Sequence, residues 1–272
     1  MNCIFGIFDV LGFTGFCENC DPQNAESVLK IMDDFETDIP KILFSSLDTK
    51  NTVPPEKIEQ VTSRVRWLTF SDTVFVAMPI DLADQSDTLK FNLIFFTILV
   101  AYINRRMFEI GLPMRGAVHI GDVIISKRCF AGKAIVEAHR LGQRVQVAGT
   151  VVSEQANAFI FKAFPNPTGF QQMFRNLIIE CDVPTGTRRL SKFLWSNNSE
   201  KIKTLCWFYL QMGRIERFTI PLDLNRFIAE KFTAHGKKLS GNKEKMKVIN
   251  TEKFFTDWKA ANHRDYQRSV SL

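Results

Sequence analysis

No apolar run in this 272-residue chain is long enough to cross a bilayer. The best candidate, "FNLIFFTILVAYI" over residues 91–103, has 13 residues where about 20 are needed, and it runs into Arg105 and Arg106. A buried helix is expected there. No basic stretch precedes an apolar one at the N-terminus, so no secretory leader is expected and the protein is placed in the cytoplasm. The six cysteines stand at irregular spacing and do not form the framework of a small disulfide-rich domain. Cys17 and Cys20 make a C-x-x-C behind a strand, where a redox pair would stand, but the pattern is short and common. No second ligand pair lies at the spacing of a zinc site. Nucleic-acid motifs and internal repeats are also missing, so a nucleic-acid partner is not expected.

What is present is an ordinary globular composition, 45% hydrophobic and 24% charged, with 25 phenylalanines that imply a core rich in large rings. The net charge of +6 is uneven: residues 201–272 carry 15 Lys and Arg against 7 Asp and Glu. Much of that excess lies in "HGKKLSGNKEKMK", residues 235–247. The run is either a solvated loop or an attractant for a polyanion such as a nucleotide.

Local patterns give an order of elements. Residues 3–11 are apolar and β-branched enough for a buried strand, ended by Gly12. Asp21 as cap and Pro22 at the first helical position predict a helix start. The polar stretch 48–57 predicts a loop. "SRVRWLTFSDTVFVAMP" (63–79) predicts a hairpin turning at Ser71-Asp72, and residues 86–110 a helix. "PMRGAVHIGDVII" (113–125) predicts a second hairpin turning at Gly121-Asp122, and residues 132–146 a further helix. Strand, helix, hairpin, helix, hairpin, helix implies an α+β fold: a ferredoxin-like, mainly antiparallel sheet with helices on one face. Residues 1–150 form the expected core. Residues 151–272, with apolar patches such as "LSKFLW" and "EKFFTDWKAA", form a C-terminal continuation of final strand and basic helical extension.

Two aspartates interrupt these apolar strands. Asp9 lies in "CIFGIFDVLGFTGF" and Asp72 in "LTFSDTVFVAM". Burying an unpaired carboxylate costs several kcal/mol, on the order of 2–7 even for a neutral polar group, so each needs a cation or a hydrogen-bond network. If the first strand pairs with the hairpin, the two stand side by side. Two such carboxylates repel unless cations neutralise them, and oxygen-only ligands suit Mg²⁺ or Mn²⁺.

"FDVLGFTGF", "FSDTVFVAM", "RGAVHIGDVI" and "GKAIVEAHRL" occur in the order and spacing of the class III nucleotide cyclase catalytic domain, over roughly residues 3–150. The chain most resembles the bacterial pyrimidine cyclases of the Pycsar antiphage system, which make cyclic UMP or cyclic CMP as an alarm signal. The resemblance implies a lyase that converts UTP or CTP to the 3′,5′-cyclic monophosphate and pyrophosphate. UTP is favoured because cyclic UMP looks like the commoner product in that family. Asp9, Asp72 and the carbonyl of Val10 would hold two ions of Mn²⁺ or Mg²⁺, and the amides of Leu11, Gly12, Phe13 and Thr14 would cradle the β and γ phosphates. The family's transition-state arginine falls on Arg140, eight residues after Gly132. A homodimer with composite sites is implied, metals on one protomer and arginine on the other.

The chain also departs from the family. Its ribose-orienting asparagine falls on Val136. The purine-reading lysine and aspartate of adenylate cyclases fall on Leu68 and Cys129, neither of which can identify adenine. Arg66, on the same strand face as Leu68, either reaches a base carbonyl or is a charge at an exposed strand end. Arg115 and His119 belong to the strand motif and are read as structural. The alternative function is a degenerate cyclase-like domain that binds a nucleotide or a partner without catalysis.

Overall fold

The computed structural model describes residues 1–47, 54–126, 129–167, 171, 177–185, 199–207, 221, 223–239 and 241–270. The patch "LSKFLW" and residues 48–53 of the expected loop lie outside them.

The apolar run in residues 3–11 becomes β1 (Asn2–Val10), and the Ser71-Asp72 turn joins β2 (Arg66–Phe70) to β3 (Thr73–Pro79). Between β1 and β2 lie α1 (Phe13–Asn19), α2 (Pro22–Asp33), α3 (Phe35–Leu47) and α4 (Pro55–Thr62). Asp21 caps α2 as its sequence predicts, accepting hydrogen bonds from the amides of Gln23 and Asn24. The loop expected through residue 57 ends early, because Pro55 opens α4, where its missing N–H costs nothing. The helix expected over 86–110 is α5 (Asp87–Glu109), leading into β4 (Met114–Asp122). By length and composition α5 could span a membrane, but most of its residues are buried inside the protein.

The first four strands lie in the order β2-β3-β1-β4 with every pairing antiparallel, the ferredoxin-like arrangement expected. The second hairpin does not form as expected. β4 runs on through Gly121 and Asp122, because Asn2 and Cys3 continue to pair with them and Met1 exchanges hydrogen bonds with Val123. The chain then leaves the sheet to make a separate ribbon of β5 (Ile124–Ser126) and β6 (Cys129–Ala131).

Residues 149–205 add three strands to the sheet, where a final strand or strands were expected. β7 (Gly149–Val152) joins β4 in parallel, and β9 (Ser199–Leu205) and β8 (Ile178–Pro184) extend the same sheet to seven strands. The expected division at 150 falls inside β7, so the sheet crosses it. Between β7 and β8 lies α7 (Glu154–Ala163); α8 (Leu224–Thr233) and α9 (Asn242–Val270) follow the sheet.

Pairing registers sort the side chains onto two faces. Phe8, Gly116 and Thr150 share one, and the hydroxyl of Thr150 donates to the side chain of Asn104, placing α5 there. Asp9, Ile7, Phe5, Arg115, Ala117 and His119 share the other. That face carries α6 (Lys133–Arg144), which approaches so closely that a Cβ at Gly121 would strike Ala134, and one at Gly142 would meet the backbone of Gly116. These contacts explain a helix whose inward positions are Ala134, Ala138 and Gly142.

Candidate active site

Asp9 stands at the end of β1 opposite Thr73, and the amide of Val10 donates to the carbonyl of Asp72 at 2.8 Å. Strand register therefore brings the two aspartates to adjoining strand ends. On the other side of β1, Asp9 pairs with Arg115 of β4. The Arg115 guanidinium donates to the carbonyls of Gln143 and Val145 at 3.2 and 3.3 Å, and to the side-chain oxygen of Gln143 at 3.1 Å. Its Nε is buried without a partner among the described residues. Burial pushes the Arg115 pKa down, while the charges of Asp9 and Asp72 pull it up; the group remains a cation.

Gln143 closes the arrangement. Its amide nitrogen donates to Asp9 Oδ2 at 2.7 Å, and the hydroxyl of Thr73 donates to Asp9 Oδ1 at 3.4 Å. The Asp9 carboxylate thus has protein partners already, and the charge of Arg115 offsets part of its repulsion with Asp72. Like-charge repulsion alone does not demand two cations here. Among the described residues no group of three or more His, Cys, Asp and Glu gathers to hold a metal. The two aspartates that strand register brings to adjoining ends carry oxygens of the kind a hard divalent cation takes.

The turn after β1 is tight. Leu11 donates its amide to the carbonyl of Pro113 at 2.8 Å, and Gly12 takes the left-handed conformation at φ 78°, which a glycine reaches without strain. Gly12 opens α1, and no side chain caps that helix. Gly12 and Thr14 are exposed; Phe13 is half-buried and stacks on Phe16.

The residues expected to read the base lie elsewhere on the Asp9 face. Leu68 is opposite Phe75, which packs against Phe130, the neighbour of Cys129, at 4.0 Å between ring centroids. An apolar wall results. Arg66 shares the face of Leu68, but its guanidinium donates to the carbonyls of Ser63 and Val65 at 2.6 and 3.2 Å, at the end of α4. Of the two readings of Arg66, the strand-end charge is the one its hydrogen bonds fit. Arg140 is exposed on α6 one turn before Gln143, and Val136, one turn earlier still, is 47% exposed. His119 is buried, with Nδ1 at 2.7 Å from the hydroxyl of Ser153 and Nε2 at 3.5 Å from Glu137. Burial pushes its pKa down against the pull of Glu137, and it ties β4 to α6 and to the start of α7.

Sequence reasoning missed Gln143 and read Arg115 as structural. Both lie inside the quoted motifs or just beyond them, and only the approach of α6 to β4 shows that they meet Asp9.

No family model matches the chain, and no curated protein matches it. Among solved structures it is similar to a bacterial light-regulated adenylyl cyclase, at 10% identity and a TM-score of 0.39, over 85% of this chain and 58% of that one. The chain spans a little over half the length of that structure.

Proposed function

We propose that the protein is a nucleotide cyclase that converts a pyrimidine nucleoside triphosphate, UTP before CTP, to the 3′,5′-cyclic monophosphate and pyrophosphate. The observation that carries this reading is the meeting of Asp9 and Asp72 at adjoining strand ends, beside the left-handed Gly12 turn and under Arg115. Asp9, Asp72 and the carbonyl of Val10 would hold Mg²⁺ or Mn²⁺. Such ions, when bound, supply a lowered pKa at the ribose 3′-hydroxyl and charge compensation at the triphosphate.

The chain's own residues do the rest. Gln143 and Thr73 fix the orientation of the Asp9 carboxylate. The Leu11 amide is spent on Pro113, which leaves the amides of Gly12 to Thr14 for the β and γ phosphates, and Arg115 adds a fixed positive charge beside them. In-line attack of the 3′-oxygen on the α-phosphorus then needs positioning and charge stabilisation, without a covalent intermediate. Arg140, exposed on α6, serves the site of a partner protomer in a homodimer and stabilises charge on the α-phosphate. The apolar surroundings of Leu68 offer nothing to the polar edge of a purine. The cyclic nucleotide would act as a second messenger in antiphage defence.

A second reading, nucleotide binding without catalysis, draws on Val136 in place of a ribose-holding side chain and on an Asp9 already bonded to Gln143. Incubating the purified protein with each of the four nucleoside triphosphates and Mn²⁺, then identifying the products, separates the two. Cyclic UMP or cyclic CMP establishes the first; nucleotide binding with no product establishes the second.

A further inference from the structure

The basic segment 235–247 returns to the site twice, by different lysines. Lys237 is 5% exposed and packs its stem against Gly12 and Gly15, while its ammonium donates to the carbonyls of Gly111 and Lys231 at 2.6 and 3.5 Å. Its hydrogen bonds are spent on the backbone. It supports the turn from beneath.

Lys247 is placed differently. Helix α9 is fastened beside β7 by Thr251, fully buried, whose hydroxyl accepts from the amide of Ala148 at 2.9 Å. Asn250 adds a bond to the carbonyl of Gln146 at 3.3 Å, and the ring of Phe254 lies against Gly149. Gly149 is the register partner of Arg115. Lys247 stands one helical turn before Thr251, hence on the same side of α9. It is half-buried, and Arg115 and Asp9 are both among its electrostatic neighbours. Burial, then the like charges of Arg115 and Lys243, push its pKa down to about 8, so the ammonium is still charged at neutral pH.

The charges of Lys247 and Arg115 repel, with Glu244 and Asp9 offsetting part of that repulsion, and the buried Nε of Arg115 has no partner among the described residues. An anion with several oxygens answers both needs. We propose that Lys247 is a ligand of the nucleotide's polyphosphate, reaching the site from the same chain that supplies Asp9. The C-terminal continuation then completes the phosphate site: Lys237 holds the turn and Lys247 binds the anion. The proposal rests on the cyclase reading for the identity of that anion.

The test uses the full chain with Mn²⁺ and inorganic tripolyphosphate, titrated calorimetrically, alongside the KM for the nucleotide. Lys247→Gln is expected to weaken tripolyphosphate about tenfold and to raise KM by a similar factor, with kcat changing less; a lost charge-assisted bond has that size. Lys247→Arg should restore most of the affinity. Lys245→Gln, two residues away on the exposed side of α9, should change nothing. A wild-type protein measured by amide exchange should show residues 243–251 slowing when tripolyphosphate is added, which needs no variant to fold. Unchanged affinity in Lys247→Gln, or unchanged exchange in the wild type, overturns the role of Lys247. A wild type that cyclises a nucleotide alongside that result leaves the cyclase reading standing. Weakened tripolyphosphate binding in a protein that makes no cyclic nucleotide upholds Lys247 and overturns the cyclase reading instead.

Discussion

The side-chain amide of Gln143 donates to Asp9 at 2.7 Å, a hydrogen bond that spans 134 residues of sequence and ties α6 to the end of β1. The same side chain accepts from Arg115, so one glutamine orients both the carboxylate and the cation beside it. Replacing it with Ala should lower cyclase activity about tenfold, the usual effect of losing a group that orients a metal ligand. The apparent requirement for Mn²⁺ should rise with it. Because Gln143 is exposed, thermal unfolding should shift little. Full activity at limiting Mn²⁺ would exclude an orienting role.

Asp9→Ala and Asp72→Ala should each reduce product at least about a hundredfold, since each removes an oxygen ligand. Arg115 changes the expectation for stability. Taken alone, a like-charge pair would be relieved by either substitution and the fold would gain. With the charge of Arg115 felt by both carboxylates, removing one leaves the guanidinium short of counter-charge, and stability should fall by about 1 kcal/mol. Denaturant midpoints for both variants decide the sign.

ATP and GTP should be poor substrates beside UTP or CTP. Leu68 stands opposite Phe75, which packs on Phe130, rather than opposite a hydrogen-bonding group, so a purine's polar edge would be buried unpaired. An apolar wall that leaves a polar edge unpaired discriminates by on the order of 10²-fold. Efficient synthesis of cyclic AMP would end this reading.

If metals and arginine come from opposite protomers, Asp9→Ala and Arg140→Ala should each be inactive alone and recover activity when mixed. Random exchange makes about half the dimers mixed, each with one intact site of two, so roughly a quarter of wild-type activity should return. The exposure of Arg140 on α6 is what makes donation to a partner possible. No recovery after verified subunit exchange would put both residues in one chain's site, or Arg140 outside it.

The buried Lys237 predicts a pH dependence. Burial pushes its pKa from 10.5 down to about 8, so between those values the unfolded chain binds a proton that the folded protein does not. Stability should therefore rise as pH climbs through that window and be lost again as pH falls to 8 and below, by at most about 3 kcal/mol. Lys237→Met should flatten the curve. Denaturant titrations at several pH values for both proteins measure the difference, and parallel curves would contradict it.

Much of this was legible without coordinates. Apolar runs around Asp9 and Asp72 marked two strands, Gly12 marked the turn, and the Asp21-Pro22 pair marked a helix start, because each depends on neighbours within one or two turns of chain. Asp9 and Asp72 could be brought together on paper, since an antiparallel hairpin against β1 leaves few registers open to two strands each buried on both faces. The hairpin expected at Gly121-Asp122 failed for a complementary reason. Gly and Asp favour a turn locally, but the pairing of β4 with Asn2 and Cys3, far away in sequence, holds both residues in the strand.

By itself, then, the amino-acid sequence determined the first strand, the hairpin over 66–79, the helices after Asp21, over 86–110 and over 132–146, and the two carboxylates at strand ends, through apolar runs, caps and turn chemistry that act over short range. The tertiary structure alone decided that α6 lies on the Asp9 face, that Gln143 bonds that carboxylate and Arg115, that three more strands extend the sheet past β4, and that α9 brings Lys247 within electrostatic reach of Arg115. Side-chain period tells which face of an element is apolar, but not which distant element will cover it. That choice is made by close packing over the whole chain, where a helix lined by Ala134, Ala138 and Gly142 can approach the glycines of β4 and a bulkier one could not.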